Sequence, residues 1–120
     1  MTASIEITID STDPLSSAAF WEAALGYERR YEREPYIALG PPAGDARPVV
    51  LIQRVDDVEL GKTRAHLDLR VDDPSAEVAR LQDLGAEVVN QVDETEVGGS
   101  RWTVLTDPQG VHFCVCPARA

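Results

Sequence analysis

Residues that can bind metal or move protons sit in three short alternating stretches: EITID, HLDLRV and VHFCVC. A strand turns successive side chains to opposite faces, so residues two apart share a face. His66, Asp68 and Arg70 therefore stand together, opposed to Leu67, Leu69 and Val71. His112, Cys114 and Cys116 oppose Val111, Phe113 and Val115, and Glu6, Thr8 and Asp10 oppose Ile5, Ile7 and Ile9. Imidazole, carboxylate and thiolate ligate divalent metals, and imidazole and carboxylate also serve as acids and bases. Each apolar set must meet a helix, which leaves the other sheet face unusually polar for a surface that a small domain has to bury. Alternation leaves two readings open. The polar face lines a ligand cavity that holds water or a metal when empty, or its groups hydrogen-bond one another or are covered by dimerisation. His112 has two readings as well, joining His66 and Cys114 in one site or standing at the rim. Cys114 as a nucleophile needs a neighbouring base and a lowered pKa, and the simpler reading is a small buried thiol.

The elements that position these residues repeat. EITIDSTDP at 6–14 and HLDLRVDDP at 66–74 are alternating strands that run into Asp-Pro sixty residues apart. Asp13 and Asp73 can accept from orphan helix N–H groups, and Pro14 and Pro74 suit a first helical position. The following stretches, LSSAAFWEAALG and SAEVARLQDLG, read as helices ended by Gly26 and Gly85 in the left-handed conformation. Val78, Leu81 and Leu84 make a stripe on the second helix. Leu15, Ala18, Ala19, Phe20, Ala23 and Leu25 make a broader apolar surface on the first, with Trp21 in the core or at a dimer contact.

After each helix the pattern returns to strands, at 27–33, 35–39 and 47–55 and again at 86–91, 100–106 and 111–116. YIALGPPAG and WTVLTDPQG correspond as aromatic-led strands ending in turns. The chain thus reads as one α+β domain of two βαβββ modules, about 1–56 and 63–120, joined by a linker at Asp56–Lys62. One helix on one sheet leaves a sheet face bare, so two modules related by a pseudo-twofold are expected to form a cleft between curved mixed sheets. Trp102 walls that cleft or packs as an ordinary aromatic, and Gly98-Gly99 marks a loop or hairpin able to cover a ligand. ERRYERE at 28–34 reads as a solvated strand.

Charge narrows the partners. Twenty-one acids against eleven scattered bases, a net −10, argue against nucleic acid and anionic lipid. No apolar run approaches the roughly 20 residues that span a bilayer. The start, MTASIEITID, enters a strand pattern directly, so no signal peptide is expected. Two cysteines two apart read as a free thiol pair, and a cytoplasmic location is expected.

The twice-repeated strand–Asp-Pro–helix–Leu-Gly pattern, with DPQGVHFCV near the end, resembles the vicinal oxygen chelate superfamily of glyoxalases, bleomycin-resistance proteins and dioxygenases. The resemblance covers essentially the whole chain. It implies a small-molecule ligand, a homodimer, and in metal-dependent members a divalent ion held from four places, two in each module. Those places fall here on Glu6, Gln53 (with Ile52 as the alternative register), His66 and Cys114. Zn, Ni, Mn or Fe would be the ion. Glu6 and His66 are the implied catalytic pair, and Thr8, Gln53, Asp68, Trp102, His112 and Cys114 the implied substrate contacts. Cys114 stands where metalloenzymes of this fold carry Glu, and thiolate suits zinc better than hard ions. Two functions are therefore expected to compete: a metal-assisted lyase, isomerase or dioxygenase, and a metal-free protein that sequesters a small molecule.

Overall fold

A computed structural model describes residues 3–57 and 64–119, so most of the expected linker, from residue 58 to 62, lies outside the described residues. By contact the chain falls into two compact units, Glu6–His66 and Leu67–Ala120 with Met1–Ile5.

The first module runs β1 (Ser4–Ser11), α1 (Pro14–Leu25), β2 (Glu28–Arg33), β3 (Tyr36–Gly40) and β4 (Val49–Arg54). The second runs β5 (Ala65–Val71), α2 (Pro74–Asp83), β6 (Glu87–Asp93), β7 (Arg101–Thr106) and β8 (His112–Pro117), with a short 3-10 turn at Thr95–Val97. The fold is α+β, and the expected βαβββ repeat is what forms.

Local chemistry sets the helix ends. The Asp13 carboxylate accepts from the Ser16 N–H at 3.3 Å and Asp73 from the Ala76 N–H at 3.1 Å. Each helix opens on the proline that follows. Gly26, at φ 68°, turns the chain out of α1 in the left-handed region that glycine enters without strain.

Each module builds its strands in the same order, β2-β3-β4-β1 in the first and β6-β7-β8-β5 in the second. β1 runs parallel to β4 and β5 to β8, as a helical crossover requires, while the other pairings are antiparallel hairpins. The edge strands bulge at equivalent places, between Arg29 and Tyr31 in β2 and between Val88 and Asn90 in β6. Such a bulge breaks the flat row of free backbone groups through which edges aggregate.

The core of the first module gathers Ala18, Tyr27, Ile37, Leu39, Val50 and Ile52, with Ile7, Ile9, Trp21 and Leu25 packed against them. The core of the second is thinner: Val71, Leu105 and Val115, flanked by Ala3, Val78, Leu81, Ala86 and Phe113. Of the residues that alternation turned toward the helices, Ile7, Ile9, Val71, Phe113 and Val115 lie in or against these cores. The broad apolar surface expected of α1 divides, however. Ala18, Trp21 and Leu25 meet the sheet, while Leu15 and Phe20 remain exposed. The helix has more apolar residues than one sheet-facing stripe can use.

Candidate functional site

The sheet face turned away from each helix is polar and buried. On β1, Glu6 is 4% exposed and Thr8 2%, whereas Ile5 on the opposite face is largely open. On β5, Asp68 is 5% exposed and His66 half-buried. Taking a carboxylate out of water is costly unless hydrogen bonds or opposite charge compensate it. Two buried carboxylates among the described residues therefore mark where this fold gives up stability.

In the second module three donors converge. β5 and β8 pair in parallel with Asp68 beside Cys114, and His66 lies two residues before Asp68 on the same face. Ligand atoms of His66, Asp68 and Cys114 all lie within 4.8 Å of one another. Cys114 is 8% exposed, and both it and Cys116 are free thiols. Burial pushes the Cys114 thiol up to about 12, reinforced by the neighbouring Asp68 charge, by Cys116 and by its hydrogen bond to Asp68, while Arg70 opposes the rise. Without an ion, Cys114 is a protonated thiol leaning on a carboxylate, and a nucleophilic role has no support.

The donor set can be tested against the metal that the fold implies. Four-coordinate zinc, with bonds of roughly 2.0 Å to nitrogen or oxygen and 2.3 Å to sulfur, sets its ligand atoms roughly 3.5 Å apart. The three side chains would close by about an ångström to share such an ion, within the reach of rotamer adjustment. Imidazole, carboxylate and thiolate together suit zinc and other borderline ions, and do not suit Mg²⁺ or Ca²⁺. The cluster is thus a candidate metal centre for a thiol-tolerant ion.

The remaining expected residues distribute unevenly. Asp68, expected as a substrate contact, is a member of the donor cluster; the signal for it was its same-face spacing from His66. Glu6 is not in the cluster and lies beside Val49 on the corresponding face of the first module. Trp102 is half-buried on β7, two residues before Val104, which pairs with Cys114, so the two share a face. His112 is exposed at the start of β8, opposite Thr106, and stands outside the cluster.

Strand register moves the fourth expected place. Thr8 pairs with Leu51 as Asp68 pairs with Cys114, so the β4 residue equivalent to Cys114 is Leu51, a buried apolar side chain. Gln53 lies two residues further on, beside Asp10 and Tyr36, where its equivalent is Cys116. Ile52, the alternative, faces the helix and is fully buried. β4 therefore presents no ligating side chain at the place where β8 presents Cys114. No helix among the described residues is long and apolar enough to cross a membrane.

The comparisons agree with this architecture. A crystal structure of a glyoxalase/bleomycin resistance protein/dioxygenase superfamily member from Vibrio splendidus superposes with a TM-score of 0.66 at 18% identity, covering 97% of this chain and 99% of that one. Methylmalonyl-CoA epimerase from Mycobacterium tuberculosis gives 0.72 at 20% identity, covering 99% and 89%. The Streptomyces coelicolor methylmalonyl-CoA epimerase gives 0.67 at 18%, covering 100% and 99%. At such identities these similarities establish the fold. A search of curated proteins finds no match to the chain. The sequence profile described as a glyoxalase-like domain matches residues 6–116. The chain belongs to that glyoxalase-like domain family, within the glyoxalase/bleomycin resistance/dioxygenase superfamily.

Proposed function

We propose that the chain acts on a small oxygenated metabolite, with His66, Asp68 and Cys114 holding a divalent ion of the Zn²⁺ type. One observation carries this reading: three chemically different donors, two of them buried, converge within 4.8 Å. When bound, the ion supplies Lewis acidity to a carbonyl or hydroxyl oxygen of the substrate. The chain's own residues do the rest. Asp68 accepts a hydrogen bond from the Cys114 thiol, and holding an ion through both side chains would require that proton to be released to solvent. Glu6, a buried carboxylate, is assigned proton transfer, and Trp102 offers an apolar wall on the same face as the cluster. Zn²⁺ fits this set best and Ni²⁺ or Fe²⁺ next, while Mn²⁺ is the poorest of the four.

A second reading has its own observations. Leu51 at the β4 place and a thiol held in its protonated form both favour a metal-free protein that grips its ligand by hydrogen bonds. Elemental analysis separates the two. Protein purified without chelator should contain near-stoichiometric metal that His66→Ala and Asp68→Asn each abolish, and lyase and isomerase assays on α-hydroxycarbonyl compounds would follow. Wild-type protein that takes up no Zn²⁺, Ni²⁺ or Fe²⁺ on challenge overturns the metal reading. Thermal stabilisation by a small molecule in the presence of EDTA would then support sequestration.

A further inference from the structure

β5 and β8 set a cation beside the donor cluster. Arg70 pairs with Cys116 as Asp68 pairs with Cys114, so it stands two residues, roughly 6.6 Å, along the same face. Its half-buried guanidinium reaches across to β8 and donates from Nη1 to the Pro117 carbonyl at 3.2 Å. Its charge is felt at the Cys114 sulfur, where it opposes the rise of the thiol. Among the described residues it is the one arginine that β5, β7 and β8 turn to this face, since Arg101 alternates to the other. Thr103 pairs with Val115, so Trp102 falls beside Cys116 on the side away from Arg70. The first module has no such row. Asp10 stands where Arg70 does and Gln53 where Cys116 does, so the βαβββ frame folds without a cation at this place.

We propose that Arg70 makes the site selective for a substrate carrying a carboxylate roughly 6–7 Å from the oxygens that the cluster engages. This rests on His66, Asp68 and Cys114 holding a divalent ion, as proposed above. Charge then selects the class. An ion of charge +2 on one carboxylate and one thiolate makes a neutral centre, and Arg70 adds one positive charge beside it. A monoanion cancels that charge. A phosphate monoester, close to −2, instead brings surplus negative charge next to Asp68 and Cys114. Geometry agrees, because a guanidinium donates in a planar fork that fits the two oxygens of a carboxylate.

Trp102 adds the shape. A ring lying over Cys116 has the indole on one side and the guanidinium on the other, each about one strand spacing away. The class is therefore a planar acid with its chelating oxygens across the ring from its carboxylate. 3,4-Dihydroxybenzoate has this layout, and its methyl ester keeps the ring and both hydroxyls while losing the charge.

Isothermal titration of the full chain, challenged with Zn²⁺ and freed of excess, reads this preference with each compound in turn. Wild type should bind the acid at least about tenfold tighter than the ester, as a charge-assisted pair of hydrogen bonds does. Arg70→Gln should bring that ratio to about one while keeping its metal. Arg70→Lys, which retains the charge without the fork, should show a ratio between the two. Equal binding of acid and ester by the wild type overturns the proposal, and so does an Arg70→Gln chain that keeps the wild-type ratio. Should Arg70→Gln fail to fold, Arg70→Lys stands in: a reduced ratio supports the proposal and an unchanged one overturns it. Metal content measured on the same samples keeps the two claims apart. Metal-free protein that still prefers the acid through Arg70 overturns the metal reading alone, and metal-loaded protein that binds acid and ester alike overturns the role of Arg70 alone.

Discussion

The state of Cys114 separates a nucleophile from a ligand in waiting, and it can be read directly from thiol reactivity. The reactive species is the thiolate, so the rate follows its population. An ordinary thiol at 9.0 is roughly one-tenth ionised at pH 8, whereas one pushed up to about 12 is ionised about a thousandfold less. In a Cys116→Ala background, freed of metal by chelator, Ellman's reagent at pH 8 should therefore label native protein about three orders of magnitude more slowly than the urea-unfolded chain. Burial adds to this by restricting access. Asp68→Asn removes the carboxylate's charge but leaves the burial, which is the larger cause, so labelling should speed up while remaining well below the unfolded rate. The same displacement has a sign for stability. The folded thiol keeps its proton where the unfolded one loses it, so the contribution is full below about pH 9 and disappears as pH rises toward 12. Native Cys114 reacting within tenfold of the unfolded rate would refute the reasoning, because it would require an accessible and substantially ionised sulfur.

Leu39 and Leu105 occupy corresponding strand positions in the two modules, each fully buried at the centre of its core. Leu39→Ala and Leu105→Ala should each cost about 2–5 kcal/mol in urea unfolding followed by circular dichroism, and a loss below about 1 kcal/mol would contradict the packing. Asp13→Ala and Asp73→Ala should each cost about 1 kcal/mol through the lost cap, a value checked by the same titration. A Cβ at Gly40 would sit 2.3 Å from the Arg30 Nε, whose guanidinium also donates to the Pro41 carbonyl. Because that guanidinium is the far end of a flexible side chain, Gly40→Ala should cost no more than about 1 kcal/mol, the worth of the displaced hydrogen bond, and unfolding that is markedly steeper in cost would show Arg30 to be fixed.

How much the sequence determined can be seen at single residues. The βαβββ repeat was legible because its boundaries are local: Asp13 and Asp73 cap, Pro14 and Pro74 open, and Gly26 takes a positive φ through its own short-range chemistry. Which strand residues face the helix was legible because the period of a strand is two. Register was not, for the same reason. Leu51 and Gln53 differ by two, so both lie on the polar face and alternation cannot choose between them; only the pairing of Thr8 with Leu51 and of Asp68 with Cys114 does. Asp68 as a partner of Cys114 was likewise hidden, since that proximity depends on two strands more than forty residues apart lying side by side. The tertiary structure also decided the outer side of α1. Composition marks Phe20 and Trp21 alike as apolar, and packing against the β-sheet partly buries Trp21 and leaves Phe20 in water.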